Sequence, residues 1–467
     1  MSQAQSITGG LQPYATYRDS GANWLGQVPS HWHVRPAFGA FALIHERNRG
    51  MREKTVLSLS YGRIIIKPTD KLHGLVPESF ETYQIVNPGD IVIRTTDLQN
   101  DHTSLRVGAV RSRGIITSAY LALQAQPDVN PAFGYHFLNV WDITKAIYGY
   151  GSGLRQNLDF AHFKRMAVAV PPAAEQAAIV RFLDWANGRL ERTIRAKRKV
   201  IGLLNEQKQA IIHRAVTRGL DPSVRLKPSG IPWLGDIPQH WEVRRAKYLY
   251  REVDERSTDG SEELLSVSHL TGVTPRSHKK ITMFKAASYA GHKLCRSGDL
   301  VVNTMWAWMG ALGASTHSGI VSPAYAVYRP RRPEGIVGIY VDGLLRSRPY
   351  VLNIVCRSTG LRASRLRLYP EEFFRLPIIQ PPVEEQRRIV ERIQGETAEL
   401  GSAISRLERE IELLREYRAR LVADVVTGKL DVREAATQLP TEPNSDLAND
   451  LSEDTGEPDF ADEATAV

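Results

Sequence analysis

The chain states much of its sequence twice. Trp24-Leu25-Gly26-Gln27-Val28-Pro29-Ser30-His31-Trp32-His33-Val34-Arg35 returns 209 positions later as Trp233-Leu234-Gly235-Asp236-Ile237-Pro238-Gln239-His240-Trp241-Glu242-Val243-Arg244. Pro171-Pro172-Ala173-Ala174-Glu175-Gln176 returns 210 positions later as Pro381-Pro382-Val383-Glu384-Glu385-Gln386. A period this long is a domain duplication and not a solenoid. Whatever architecture serves one half must serve the other, and the chain carries an approximate twofold. Two related surfaces can then meet two separate stretches of one long partner.

Two proline-free stretches, 173–217 and 383–427, read as long helices. Each follows a Pro-Pro pair, where the missing N–H costs nothing, and has carboxylates in its first turn, which complement the helix dipole. Each ends at a glycine, Gly219 or Gly428, suited to the left-handed closing turn. The apolar residues follow heptads. One seam of the first stretch is Leu183, Leu190, Lys197, Leu204 and Ile211; the other is Asn187, Ile194, Ile201, Lys208 and Ala215. The second stretch repeats them as Ile393, Leu400, Leu407, Leu414 and Leu421, with Thr397, Ile404, Ile411, Arg418 and Val425. This is a coiled-coil pattern, and its polar intrusions fix register. A helix of roughly 45 residues is about 65 Å long.

Two blocks with short strand-like runs, 1–170 and 226–380, precede these helices. Gly89-Asp90-Ile91-Val92-Ile93 answers Gly298-Asp299-Leu300-Val301-Val302, and Ile116-Thr117-Ser118-Ala119-Tyr120 answers Val321-Ser322-Pro323-Ala324-Tyr325. Ser152-Gly153-Leu154-Arg155 answers Thr359-Gly360-Leu361-Arg362. Between these landmarks the sequences diverge: Arg94-Thr95-Thr96-Asp97-Leu98 stands where the second copy has Asn303-Thr304-Met305-Trp306-Ala307. One scaffold carrying two loop sets suits two specificities.

The net charge is +9, yet residues 434–467 hold ten acidic side chains and no Lys or Arg. With that tail set aside, the formal charge of the remainder rises to +19. Such a body attracts polyanions, nucleic acid above all, and the tail reads as disordered. Two cysteines, Cys295 and Cys356, without paired spacing imply a reducing compartment, and they read as small apolar residues before nucleophiles. With no signal pattern and no apolar run long enough to span a bilayer, the chain is expected to be cytoplasmic and without a membrane partner. There is no GxxxxGK[ST] loop, no Asn/Asp-Pro-Pro-aromatic run and no nuclease-type Asp…Glu-x-Lys pairing. His31-Trp32-His33 suggests a metal pair, but its repeat reads His240-Trp241-Glu242. The tryptophans are better read as anchors of a domain edge.

The order block, long helix, block, long helix, with Trp-Leu-Gly-x-(Val/Ile)-Pro-x-His-Trp-x-Val opening each block and Pro-Pro-x-x-Glu-Gln opening each helix, resembles the specificity (S) subunit of type I restriction–modification systems. The likeness covers about 14–432. It implies a mixed α/β (α+β) fold: target recognition domains at 1–170 and 226–380, conserved helical regions at 171–225 and 381–432 pairing as an antiparallel coiled coil, and a tail at 433–467. The coil would use Leu183, Leu190, Ile194, Ile201, Leu204 and Ile211 with Ile393, Leu400, Ile404, Leu407, Ile411, Leu414 and Leu421. The resemblance further implies a reader of bipartite double-stranded DNA that docks modification (methyltransferase) and restriction (endonuclease/translocase) subunits. S-adenosylmethionine, ATP and Mg would be used by those partners, with no catalytic residue and no cofactor on this chain. The alternative is a coiled-coil DNA-binding regulator acting without enzymatic partners.

Candidate DNA contacts are polar residues just past strand ends and beside glycine turns. In the first block these are Ser60, Tyr61, Arg63, Arg94, Thr95, Arg155, Gln156 and Asn157; in the second, Ser268, His269, Asn303, Thr304, Arg362, Ser364 and Arg365. Arg suits guanine, and Asn or Gln suits adenine, by bidentate geometry. Trp306 and Trp308 are expected in the core.

Overall fold

The computed structural model describes residues 11–68, 79–96, 98, 104–150, 157–278, 288–360 and 366–440. The chain forms two compact units. The first runs as far as Lys197 and resumes at Arg409; the second spans Arg198–Glu408. Each long helix therefore gives part of its length to each unit.

Both units contain a four-stranded antiparallel sheet with one strand order. In the first the order is Phe41–Leu43, Leu121–Ala125, Ile91–Ile93, Val107–Ala109; in the second it is Tyr250–Val253, Ala326–Pro330, Leu300–Val302, Leu312–Ala314. The Gly-Asp landmark explains how the third strand of each list begins. Gly89 (φ +96°) and Gly298 (φ +92°) take backbone that disfavours a Cβ. The carboxylate after each then accepts a backbone N–H, from Asn87 at 2.6 Å and from Arg296 at 2.9 Å. Ile91, Val92 and Ile93 are all buried, as are Leu300, Val301 and Val302. A two-stranded ribbon joins the start of each block to its end: His33–Pro36 with Ala167–Val170, and Glu242–Arg245 with Pro377–Gln380.

The long helices run Ala173–Arg218 and Val383–Val426, close to the expected spans, and Gly219 and Gly428 close them at φ +77°. Every seam residue named for the coil is buried or half-buried. In the first unit Leu183, Leu190 and Ile194 share a core with Leu421 and Val425. Arg418 bonds Glu191 at 2.9 Å and Lys197 pairs with Glu410, so residue numbers rise on one helix as they fall on the other. Two polar seam positions are thus ion-paired. In the second unit Ala215 and Val216 share a core with Ile389 and Val390.

The two repeated motifs meet. In the first unit Glu175, from Pro-Pro-x-x-Glu-Gln, accepts hydrogen bonds from Trp32 Nε1 (2.8 Å) and Tyr14 Oη (2.6 Å), and its other oxygen lies 2.7 Å from His31 Nε2. In the second, Glu385 lies 2.7 Å from His240 Nε2. The neighbouring glutamine works in parallel. Gln176 Oε1 accepts from the backbone N of Asn130 (2.7 Å), and Gln386 Oε1 from that of Val337 (2.9 Å). These residues sit immediately before the helices Pro131–Ile143 and Gly338–Leu345. Glu holds the block's opening segment, and Gln holds the start of one of its helices. Trp32 and Trp241 are fully buried, as anchors should be.

Candidate nucleic-acid interface

Each unit ties the loop after its Gly-Asp strand to the scaffold in the same way. Thr95 Oγ1 donates to the Ala119 carbonyl (3.0 Å), and Thr304 Oγ1 to that of Ala324 (2.9 Å). The carbonyl of Thr95 accepts from Leu158 N, and that of Thr304 from Leu368 N. Both threonines are buried, and so is Asn303. The structure therefore places Thr95, Asn303 and Thr304 inside the fold, with the two threonines bonded to it. Landmarks that recur in both copies mark shared framework, and these residues stand next to landmarks.

Arg94 is half-buried, and its loop is held from beneath by Arg106. The fully buried Arg106 guanidinium donates to the carbonyls of Thr96 (2.8 Å) and Arg94 (3.5 Å) and to Tyr148 Oη (3.2 Å). Asn157 is exposed. Arg155, Gln156, Arg362, Ser364 and Arg365 lie outside the described residues.

The remaining candidates gather on one kind of element, a hairpin in each unit. Leu57–Ser60 pairs with Arg63–Ile66 and carries Ser60, Tyr61 and Arg63 at its tip. Leu265–Ser268 pairs with Gly272–Pro275 and carries Ser268 and His269 at its tip. Tyr61 is 86% exposed and Leu270 is 75% exposed, the two highest values among the large hydrophobic side chains described. Leu270 escaped the sequence reading, which sought polar residues, although it lies 209 positions after Tyr61. Arg346, also missed, braces the second tip by donating to the carbonyls of His269 (2.7 Å) and Leu270 (2.8 Å).

Arg63 and Arg111 are exposed and lie near Tyr135, where their charges oppose the upward push of burial on its phenol. Beside it, burial pushes the His136 imidazole down to about 4, so it is neutral near pH 7. Burial pushes the Cys295 thiol up to about 12, which disfavours the nucleophilic thiolate. Cys356, expected to be enclosed, is exposed. His31 and His240 face carboxylates, and no group of His, Cys, Asp or Glu that could hold a metal occurs among the described residues. No helix among them is long and apolar enough to cross a membrane. Trp306 and Trp308 stack on each other 5.9 Å apart and are half-buried.

No family profile and no curated protein matches the chain. Solved structures do. A chain from work on complex assembly and conformational transition of the type I R-M system superposes with a TM-score of 0.56 at 14% identity, over 86% of this chain and 99% of that one. The HsdS subunit from Thermoanaerobacter tengcongensis gives a TM-score of 0.38 at 14% identity, over 86% and 98%. The type I restriction-modification S subunit from M. genitalium gives 0.32 at 11%, over 84% and 96%. The first superposition shows a shared fold along nearly the whole of both chains.

Proposed function

From the premise that this chain has the fold of a type I restriction–modification chain, we propose that it is the DNA-specificity subunit of such a complex. Each unit reads one half of a bipartite duplex target. The observation that carries this is the pairing of one framework with two different surfaces. Strand order, the Gly-Asp turn, the Thr–Ala tie and the Glu/Gln clasp are common to both units, while the exposed hairpin tips differ in residue and in length. A basic body supplies salt-dependent attachment to phosphates, and a few side chains at base edges supply sequence.

In this reading the two long helices pair as an antiparallel coiled coil. Each, at about 65 Å, acts as a ruler between half-sites that face one side of the duplex. Modification and restriction subunits dock on the chain. Use of S-adenosylmethionine, ATP and Mg is assigned to those subunits, and this chain contributes recognition without catalysis.

The test is to map methylated adenines in cells carrying the whole system, before and after residues 230–380 are exchanged for the matching block of a relative. One half of the target should change and the other should stay. A swap that alters both halves together overturns independent reading.

A further inference from the structure

The most exposed apolar side chains described are not scattered over the surface. Tyr61 and Leu270 occupy the tip of the same hairpin in the two units. The strands leading in are alike, Leu-Ser-Leu-Ser at 57–60 and Leu-Ser-Val-Ser at 265–268, but the turns differ: Tyr61-Gly62 makes a two-residue turn, and His269-Leu270-Thr271 a three-residue one. What recurs is a large apolar group held out into water.

In the first unit it is held there against local preference. Tyr61 (φ +46°) and Gly62 (φ +77°) both take left-handed backbone. That is the signature of a turn which favours Asn-Gly and penalises a bulky residue at its first position. At 86% exposed, Tyr61 recovers little by packing. A residue that weakens the isolated chain and contacts little of it is a candidate for contact with something else.

Both tips are stiffly mounted. A Cβ added to Gly62 would stand 2.9 Å from Leu105 Cβ, so the turn rests directly on that side chain. Arg346 fixes two tip carbonyls in the second unit. A protein partner is a poor match, because one side chain on a narrow turn, flanked by Ser60 and Arg63, offers far less than the roughly 800 Å² per partner of a stable interface. A basic body carrying isolated apolar points suits a polyanion whose interior is an apolar stack.

We propose that Tyr61 and Leu270 are wedges that press into the base-pair stack of bound duplex DNA, one in each half-site. The proposal rests on the DNA-recognition reading above. A wedge at a base step partly unstacks it and bends the duplex, so that more of the protein surface can reach it.

The experiment uses the full chain co-purified with its methyltransferase subunits, on a duplex bearing the target mapped from methylated adenines. Unstacked thymines are read by permanganate, affinity by fluorescence anisotropy, and melting by calorimetry. Beyond the thymines opposite the methylated adenines, which base flipping by the methyltransferase exposes by itself, wild type should show reactive thymines in both halves. Tyr61→Ala should erase those of one half and Leu270→Ala those of the other, each weakening binding about tenfold with an unchanged salt slope. Tyr61→Asn should also erase its half while raising the melting temperature of the free protein by about 2 °C. Variants that keep the permanganate pattern and affinity overturn the wedge and leave DNA recognition intact. A Tyr61→Asn protein that melts lower and binds normally makes Tyr61 a framework residue, which also overturns the wedge. A wild-type complex that binds no duplex removes both readings.

Discussion

The two units close the same junction by different means. In the second, the chain runs without interruption from the end of the first long helix at Arg218, through Gly219, to the strand Leu226–Pro228. In the first, the equivalent pieces are the end of the second long helix and the strand Tyr17–Asp19, which stand at opposite ends of the sequence. Side chains and backbone bridge the gap. Asp431 N donates to the Gln12 carbonyl (2.8 Å), Tyr17 Oη to that of Lys429 (3.3 Å), and Arg433 lies 5.2 Å over the Tyr14 ring while pairing with Asp431. Tyr14 in turn bonds Glu175. At the matching position the second copy has Ser223, and Trp241 Nε1 has no hydrogen-bond partner among the described residues. Where a covalent link holds two pieces together, the loop is already closed; where it is missing, contacts must offset the closure entropy.

The largest consequence falls on the shared glutamate. Glu175→Ala strands a buried tyrosine hydroxyl and a buried indole N–H and removes charge-assisted bonds, and it should cost about 4 kcal/mol. Glu385→Ala loses one contact, to a half-exposed histidine, and should cost about 1 kcal/mol or less. Hydrogen exchange in urea, resolved by peptide, assigns each loss to its unit. Equal losses would mean that the extra bonds around Glu175 do not compensate for the missing link.

A second asymmetry runs the other way. The Gly-Asp carboxylate of the second unit, Asp299, is bonded by Arg329 through both oxygens at 2.9 Å, and Arg329 also reaches Glu255 at 2.9 Å. At the corresponding place the first unit has no arginine. Arg329→Gln should cost about 2–3 kcal/mol, because it leaves a buried carboxylate without its cation, and the exchange loss should be confined to the second unit. A loss below about 0.5 kcal/mol, the range of ordinary surface changes, would show that Asp299 is satisfied by its backbone bond alone.

Legibility in the sequence follows the same division between framework and surface. The helices were readable because 173–217 and 383–427 carry a proline-free heptad pattern, whose apolar positions are buried or half-buried. The duplicated sheet was readable because its landmarks repeat. The Glu–His/Trp clasp went unread, although its signal was present: two motifs repeating at nearly one shift are candidates for mutual contact. Thr95, Asn303 and Thr304 are buried beside repeated landmarks, and closeness to such a landmark marks what both units need for folding. Surface readers cannot repeat if the units read different bases. Leu270 was invisible to a search for polar residues, because an apolar side chain left 75% exposed by the fold carries no local signal. Arg106 and Arg346 act on carbonyls distant in sequence, which no local pattern encodes.

Tyr14 isolates the bridging set from the clasp itself. Tyr14→Phe keeps the ring beneath Arg433 and removes only the hydroxyl bond to Glu175. It should cost about 1.5 kcal/mol, with faster exchange around 12–19 and 429–437. Ser223→Ala at the matching position should change stability by less than about 0.5 kcal/mol. If the serine change proves as costly as the tyrosine change, the second unit contains a closing network of its own and the covalent account of it is wrong.

The smallest effect has the opposite sign. Asp90, the counterpart of Asp299, is buried, and desolvation raises its carboxyl above the usual carboxylate value; its bond from Asn87 N opposes that only in part. A carboxyl whose folded value is raised contributes stability that is fully present below the unfolded value, about 3.9, and is lost as pH climbs through the folded value. When ionised, this carboxyl is a buried charge without an arginine to offset it. Asn at this position retains an oxygen to accept from Asn87 and has no charge to bury. Asp90→Asn should stabilise by about 0.5–1 kcal/mol at pH 7, and the gain should shrink toward zero as pH falls to about 4. Asp299→Asn, measured alongside, should destabilise at pH 7, because there the same substitution strands Arg329. Urea midpoints at pH 4, 5.5 and 7 for both proteins decide the matter. If Asp90→Asn gains the same at every pH, the gain does not come from the carboxyl's charge, and the contrast between the two turns is steric and not electrostatic.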